Sequence, residues 1–298
     1  MAFWRKKSKE TPPPVTEQEF AEMQKSFARA YAVELLFAER PELDSDAIFA
    51  SMQKYCGNVK MAEQKDDSKV LLFFHLDHTV TYSDGEVPAQ SVIAFPNEDD
   101  GTQEDSLALQ QSWRWPEARE AVSNSTASLL ITDLMASGLE YKTRVELMSG
   151  ALRAVLENVN CNAINWKQTE QYVDPQAFLE AQEKADIESQ LWGFINVRLF
   201  RIEESDDLLM DTLGLAALGL PDLQCHFSGL EANDIARVLW NTAFYIFENG
   251  DVIEDGNTVE GISPEHMWKC QHEKSLREPE REVLDINPGT SFAAENRK

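Results

Sequence analysis

The sequence lacks the short motifs on which common catalytic and nucleotide-binding sites are built. No G-x-S-x-G turn, Walker A loop or G-x-G-x-x-G turn occurs in the 298 residues. The nearest approach runs from Gly214 to Gly219, but apolar residues fill the space between the glycines and no Lys-Ser or Lys-Thr follows them. This pattern indicates packing rather than a phosphate site. We therefore predict no cofactor, and we expect the chain to act by binding rather than by catalysis.

Cysteine is scarce and scattered, which excludes a disulfide scaffold and argues against a zinc ribbon. None of the four cysteines forms a C-x-x-C pair. Isolated cysteines of this kind are typical of buried thiols in a reducing compartment. They are Cys56, Cys161, Cys225 and Cys270.

Long hydrophobic runs are also missing, which argues against a membrane protein. The longest apolar stretch, Leu208 to Leu220, contains Asp211 and is too short to span a bilayer. Near the N-terminus, Pro12-Pro13-Pro14 occupies the place where a signal peptide needs an apolar segment. We expect no integral membrane segment and a cytoplasmic location.

The chain has few basic residues compared with its acidic residues. Asp and Glu number 52 against 27 Lys and Arg, a net charge of −25. Four of the basic residues precede the first acid, and the chain after Lys9 carries 29 more acids than bases. Such a body repels phosphate backbones, so we expect no nucleic-acid partner. It attracts a basic partner or a cation, although the same charge also serves solubility.

Helix and strand signals interleave between two polar ends. A long β-branched and aromatic run, Val70 to Tyr82, turns at Ser83-Asp84-Gly85 and returns from Gln90 to Phe95 as an antiparallel partner. Hairpins of this kind mix with helical crossovers. We predict an α+β fold with a mixed, mostly antiparallel sheet and packed helices, as one unit or as two sheet-helix lobes.

The expected organisation has four parts. Residues 1–25 form a basic and Pro-rich flexible tail, and residues 276–298 form a polar tail. Between them lie an N-terminal lobe, 26–185, and a C-terminal lobe, 186–275.

Four helix starts carry capping signals. Asp44 and the Asp174-Pro175 pair are typical N-caps. Ser137 with Glu140, and Ser228 with Glu231, have the spacing of capping boxes. The helix after the last of these has an interior that is apolar nearly all round, which predicts burial on most sides.

Two sets of residues are weak candidates for a metal site. In His75-Leu76-Asp77-His78, strand geometry puts His75 and Asp77 on one face and His78 on the other, so only two ligands converge. A catalytic zinc needs about three protein ligands. The residues of the second set are not spaced as in a known type of zinc site. The set comprises Cys225, His226, His266, Cys270 and His272.

The segment Trp113-Arg114-Trp115-Pro116 is more specific. Tryptophan and arginine are favoured at the centres of binding interfaces, so these three side chains are candidate binding residues. The alternative is that both tryptophans anchor a loop onto the core.

One stretch resembles the bacterial domain-of-unknown-function family 4261. The resemblance lies in three segments, and it covers roughly residues 193–268. They are Gly-Phe-Ile-Asn-Val-Arg-Leu-Phe at 193–200, Thr-Leu-Gly-Leu-Ala-Ala-Leu-Gly-Leu-Pro-Asp-Leu at 212–223, and Leu-Trp-Asn-Thr-Ala-Phe-Tyr-Ile-Phe-Glu-Asn-Gly at 239–250. The resemblance implies a bacterial, cytoplasmic protein and supplies no activity.

Within the third segment, Asn241 and Glu248 are seven residues apart and share a helix face. A pair of this kind on a buried helix binds a ligand or hydrogen-bonds a neighbouring loop.

Three functions are left open by these observations. The favoured one is a non-catalytic protein that binds and neutralises a basic partner, in the manner of an immunity protein for an antibacterial toxin. The second is a metal-dependent or hydrolytic enzyme that uses His75, Asp77 or His78. The third is an adaptor whose basic tail, Arg5 to Lys9, touches a membrane surface.

Overall fold

The computed structural model describes residues 30–63, 70–83, 85–96, 105–184, 186–203 and 205–294. These residues fall into two units. The first unit covers 28–196, and the second unit starts at Val197. Each unit combines helices with a mostly antiparallel sheet, which confirms the predicted α+β class. The boundary lies at the start of a strand, eleven residues after the expected one, and the expected basic tail, 1–25, lies outside the described residues.

The first unit contains a seven-stranded antiparallel sheet with the order β2-β3-β4-β5-β1-β6-β7. Its strands are β1 (Ala32–Phe37), β2 (Val59–Met61), β3 (Val70–Tyr82), β4 (Gly85–Ala94), β5 (Ala127–Leu134), β6 (Ala163–Trp166) and β7 (Gln171–Val173). Its described helices are α1 (Ser45–Cys56), α2 (Ser106–Gln111), α3 (Ala118–Ser123), α4 (Tyr141–Leu156), α5 (Pro175–Gln182) and α6 (Ile187–Gln190).

The β3–β4 hairpin has the antiparallel register that the sequence predicts. Val70 pairs with Ala94 at one end and Tyr82 pairs with Gly85 at the other. A register shift between His75 and Thr79 interrupts the alternation of inward and outward side chains. Consequently His75 is buried while Asp77 is exposed, and the two do not share a face as strict alternation predicted.

Two of the four predicted caps are correct and two are displaced. Asp44 and Asp174 accept hydrogen bonds from the first turns of α1 and α5. The N-cap of α4 is Glu140 rather than Ser137, because the Glu140 carboxylate itself accepts from the next turn, at 2.9 and 3.1 Å from the amide nitrogens of Lys142 and Thr143.

The core of the first unit holds an aromatic cluster around Trp166. Its indole is fully buried and lies 4.6 Å from Phe194, 5.9 Å from Phe178 and 6.1 Å from Tyr31, measured between ring centroids. Aromatic rings at these separations stabilise a core beyond the area they bury. The cluster therefore ties β6 and α5 to the loop that ends the unit.

The second unit contains a six-stranded sheet with the order β11-β12-β13-β10-β9-β8. Strands β10 and β13 are parallel, and the other registered pairs are antiparallel. The strands are β8 (Asn196–Arg201), β9 (Leu208–Leu213), β10 (Asp222–Phe227), β11 (Thr258–Glu260), β12 (Met267–Lys274) and β13 (Glu282–Asn287). Among the described residues this unit has one α-helix, α7 (Ala232–Asn249), and a 3₁₀ turn, Ala216–Leu218.

The segment 276–298, expected as a polar tail, supplies β13 to the interior of this sheet. Val283, Leu284 and Ile286 are fully buried there. Their apolar pattern is short and lies between charged residues, which is why composition suggested a loose end. The expected start of the tail at 276 is thus corrected, since the chain is ordered in the sheet up to Asn287.

Helix α7 is amphipathic rather than apolar all round. Its N-cap is Glu231 and no side-chain cap bond forms, so the predicted box of Ser228 with Glu231 is not made. Asn241 and Glu248 do lie seven residues apart, but both are exposed. The buried polar pair predicted for this helix is therefore absent from the described structure.

Four charged side chains form a buried network in the second unit. The Arg198 guanidinium donates to both carboxylate oxygens of Asp211, at 2.9 and 2.6 Å. Arg281 donates to Asp211 at 2.8 Å and to Asp222 at 3.0 Å. The Asp222 carboxylate also accepts from Thr212 Oγ1 and from three backbone amides of the turn at 214–216. The two positive and two negative charges balance, as buried charges require.

His272 on β12 is held between two aspartates. Its Nε2 lies 3.2 Å from Asp251, and its Nδ1 lies 2.9 Å from Asp255. These hydrogen bonds raise the pKa of His272 to about 9, from an ordinary value of 6.5. The imidazolium thus joins the segment after α7 to β12.

The stability of the second unit is expected to fall between pH 6.5 and pH 9. Because the folded pKa is raised, the imidazolium stabilises the protein fully below the unfolded pKa, and this contribution is lost as the pH passes through 9. After allowance for solvent screening at this half-exposed site, the loss is about 1 kcal/mol. Urea titrations across this range measure it. His272→Gln is expected to flatten the profile, and parallel profiles would contradict the assignment.

No helix in the described part of the chain is both long enough and apolar enough to cross a bilayer.

Candidate functional site

The first unit encloses a cavity of about 120 Å³ where three segments meet. One is the turn between α2 and α3, which supplies Arg114 and Trp115. The second runs from β7 into α5, and the third is the loop 192–196. The other polar and aromatic side chains of interest in the lining are Gln171, Asp174, Trp192 and Asn196.

The Trp-Arg-Trp turn is fixed by Ser112, the residue that ends α2. Ser112 Oγ donates to the carbonyl of Ala108 at 2.6 Å and accepts from the Tyr172 amide at 2.7 Å. Trp115 then turns back, with its amide 2.9 Å from the Ser112 carbonyl. It is half-buried and packs against a core cluster that includes Tyr172. Trp115 therefore anchors the turn.

Trp113 and Arg114 point away from that core. Trp113 is 47% exposed, whereas Trp115 is half-buried. The Arg114 guanidinium lies 4.0 Å from the centroid of the Trp192 ring, and its Nη2 donates to Glu188 at 3.0 Å. Trp115 thus fits the alternative of a loop anchor, whereas Trp113 is exposed and its role in binding stays a prediction.

Two buried amides form one wall of the cavity. Gln171 Nε2 donates to the carbonyls of Gly193 and Ile195, at 2.9 and 3.2 Å. Asn196 Nδ2 donates to the carbonyls of Thr169 and Glu170, at 3.0 and 3.3 Å. Carbonyl oxygens only accept, so the orientation of both amides is determined by chemistry.

The oxygens of these two amides are left for the cavity. Within the described part of the chain, no donor reaches Oε1 of Gln171 or Oδ1 of Asn196. Gln171 is 8% exposed and Asn196 is 4% exposed. Asp174 adds a carboxylate to the lining, and its Oδ1 already accepts from the Gln176 amide at 3.1 Å. The cavity is therefore rich in acceptors, with indole rings beside them.

The weak metal candidates of the sequence are not brought together. His75 is buried, its Nε2 lies 2.8 Å from Ser91 Oγ, and burial lowers its pKa to about 4. Asp77 instead accepts from Asn58 Nδ2 at 2.9 Å. Across the described ranges, no group of three or more His, Cys, Asp or Glu is arranged to hold a metal ion.

The second set of metal candidates is also dispersed. Cys225 lies in β10 and Cys270 in β12, with β13 between them. His266 faces Ser263 at 2.8 Å, and His272 is occupied by its two aspartates. These residues make separate local contacts.

Sequence reasoning missed four lining residues, namely Gln171, Asp174, Trp192 and Asn196. Asp174 was identified only as a helix cap, and a neutral amide carries no motif. The one available signal was Asn196, a polar residue inside the apolar segment 193–200. The cavity needs residues that are up to 85 positions apart, from Gln111 to Asn196, so only the fold brings them together.

Comparison with known proteins gives one result, and it concerns the second unit rather than the cavity. Neither the curated proteins nor the solved structures contain a match to the chain. Residues 211–287 match the model of the family described as Domain of unknown function (DUF4261), so the chain carries the signature of this family over the part that runs from β9 to β13.

Proposed function

We propose that this chain is a non-catalytic binding protein that captures and neutralises a basic partner protein, in the manner of an immunity protein. The observation that carries the proposal is the first unit's exposed Trp113, which lies next in the chain to two residues that line an acceptor-rich cavity. Large aromatic side chains that are held rigidly at a surface are favoured as interface anchors.

The charge of the first unit supports a basic partner. Residues 28–196 contain 28 acids and 13 bases, a net charge of −15. A field of this sign accelerates encounter with a cationic protein and makes the association sensitive to salt. The acids also repel anionic competitors, which adds selectivity.

The Trp-Arg-Trp turn has the rigidity that such an interface needs. Ser112 and the backbone bonds of Trp115 fix the turn before any partner arrives. A surface that is already ordered loses little conformational entropy on binding. The backbone on either side of Trp113 is therefore held by hydrogen bonds.

Trp113→Ala is expected to weaken the complex about 30- to 100-fold, because removal of a central tryptophan anchor costs about 2–3 kcal/mol. The complex is isolated by co-purification at low salt, and its Kd is measured by calorimetry at low and high salt. Tyr82→Ala, which removes another exposed aromatic of the same unit, is the matched control.

Expression of the chain together with its partner in a susceptible host tests neutralisation directly. Protection by the natural chain and loss of protection with Trp113→Ala is the expected result. A complex that is indifferent to both salt and Trp113, or a host that the chain fails to protect, would contradict the proposal.

A further inference from the structure

We infer that the cavity of the first unit binds the guanidinium group of an arginine side chain. This inference rests on the proposed function for the source of the arginine, which is an exposed residue of the basic partner. It assigns to the cavity a ligand chemistry and a specificity that charge alone does not provide.

The acceptors of the cavity require a ligand with several N–H groups. Oε1 of Gln171 and Oδ1 of Asn196 belong to residues that are more than nine-tenths buried. The nitrogens of the same amides already donate to the backbone carbonyls of Gly193 and Thr169. Both oxygens can accept further hydrogen bonds, so an occupant of the cavity that donates to both is favoured. A guanidinium offers five N–H donors in a fixed plane and accepts nothing.

The aromatic part of the lining suits the same group. Trp115 and Trp192 both contribute to the cavity, and the chain already places one guanidinium, that of Arg114, 4.0 Å from the Trp192 ring centroid. Planar guanidinium groups stack on indole faces, whereas an ammonium is a compact and strongly hydrated charge. Since Arg114 already lies over Trp192, Trp115 is the indole left for a ligand, and stacking on it favours arginine over lysine.

Anionic ligands fit poorly. Two amide oxygens and the Asp174 carboxylate would face the negative charge. Arg114 does not offset them, because its guanidinium is paired with Glu188 at 3.0 Å. The volume of about 120 Å³ suits one side-chain head, since it corresponds to roughly four water molecules at about 30 Å³ each.

The test uses the full chain and capped single residues as probes, with binding followed by NMR of the side-chain amides. N-acetyl-arginine methylamide is expected to bind in the millimolar range and to shift the amide signals of Gln171 and Asn196. The lysine and glutamate analogues are expected to bind at least tenfold more weakly. The citrulline analogue has the same shape without the charge, and is expected to bind about tenfold more weakly.

Two substitutions distinguish a cationic ligand from an anionic one, because each is expected to change the affinity for the two ligands in opposite directions. Asp174→Asn keeps the N-cap of α5 but removes a negative charge, and is expected to weaken arginine binding about tenfold. Arg114→Ala frees the face of Trp192 that the Arg114 guanidinium covers, so it is expected to tighten binding. Asp44→Asn, the same change at the N-cap of α1, is the control and should have no effect.

Several results would overturn the inference. They are no binding of the arginine probe at 50 mM, equal binding of arginine and citrulline, or loss of ligand binding with Arg114→Ala. The two proposals fail separately. A partner complex that depends on Trp113 but not on Asp174 would refute only the arginine cavity, whereas a cavity that binds the probe in a chain with no basic partner would refute only the neutralising function.

Discussion

Arg281→Met is expected to lower the free energy of unfolding of the second unit by about 3–5 kcal/mol, the usual cost of leaving a buried charge without its partner. Arg281 is 8% exposed and joins Asp211 to Asp222. Without it, two buried carboxylates retain only the one positive charge of Arg198. The hydrogen bonds from its Nη1 to the carbonyls of Arg277 and Pro279 are lost as well.

Urea unfolding at neutral pH measures this effect, and two variants make it specific. Lys274→Met breaks the ion pair of Lys274 with Glu280. Because the Lys274 side chain is 81% exposed, this change is expected to cost less than about 1 kcal/mol. Arg281→Lys keeps the charge but loses the planar fork, so its cost should lie between the two. Equal stability of the methionine and natural proteins would show that the network contributes nothing.

Gly193→Ala is expected to destabilise the first unit by about 2–5 kcal/mol, through backbone strain and overpacking together. Gly193 has a φ of +90°, in the region that favours glycine. A Cβ there would lie 2.2 Å from Cε2 of Trp166, in the interior of the indole. Trp166 cannot retreat, because Tyr31, Phe178 and Phe194 surround its ring.

Gly57→Ala separates the two causes. Gly57 also has a positive φ, +76°, but a Cβ at this position meets no atom within 4 Å. Only strain applies, so its cost should be about 1–2 kcal/mol. Thermal unfolding of both variants gives the comparison. Similar losses at the two positions would mean that the contact with Trp166 is not tight.

Local patterns were sufficient for one hairpin and two helix starts of the first unit. The apolar run from Val70, with a turn rich in Gly and Asp after it, allows little besides a hairpin. Asp44 and Asp174-Pro175 mark helix starts because their chemistry acts within one turn. Glu140 rather than Ser137 caps α4 because its carboxylate accepts from the amides of Lys142 and Thr143, and the S-x-x-E spacing alone does not show which residue begins the helix.

Local patterns did not predict the candidate site or the C-terminal strand, because both depend on contacts between residues that are far apart in the sequence. Trp113, Arg114 and Trp115 attracted notice as a rare cluster, but nothing local shows that Trp115 packs inward while Trp113 faces solvent. Gln171 and Asn196 carry no motif, and their role depends on carbonyls 22 to 27 positions away. Strand β13 looked like a polar end because its apolar residues are few and its parallel partner, β10, lies about 60 positions earlier in the chain.

The amino-acid sequence by itself determined the α+β class, the acidic body, the DUF4261 signature, the β3–β4 hairpin and the helix starts at Asp44 and Asp174, since these depend on composition and on neighbours within a few residues. The tertiary structure alone decided the Arg198–Asp211–Arg281–Asp222 network, the separation of His75 from Asp77, and the cavity between the Trp-Arg-Trp turn and the two buried amides. Burial and hydrogen-bond pairing between distant residues determine these features, and no local pattern records which distant residue will be the partner.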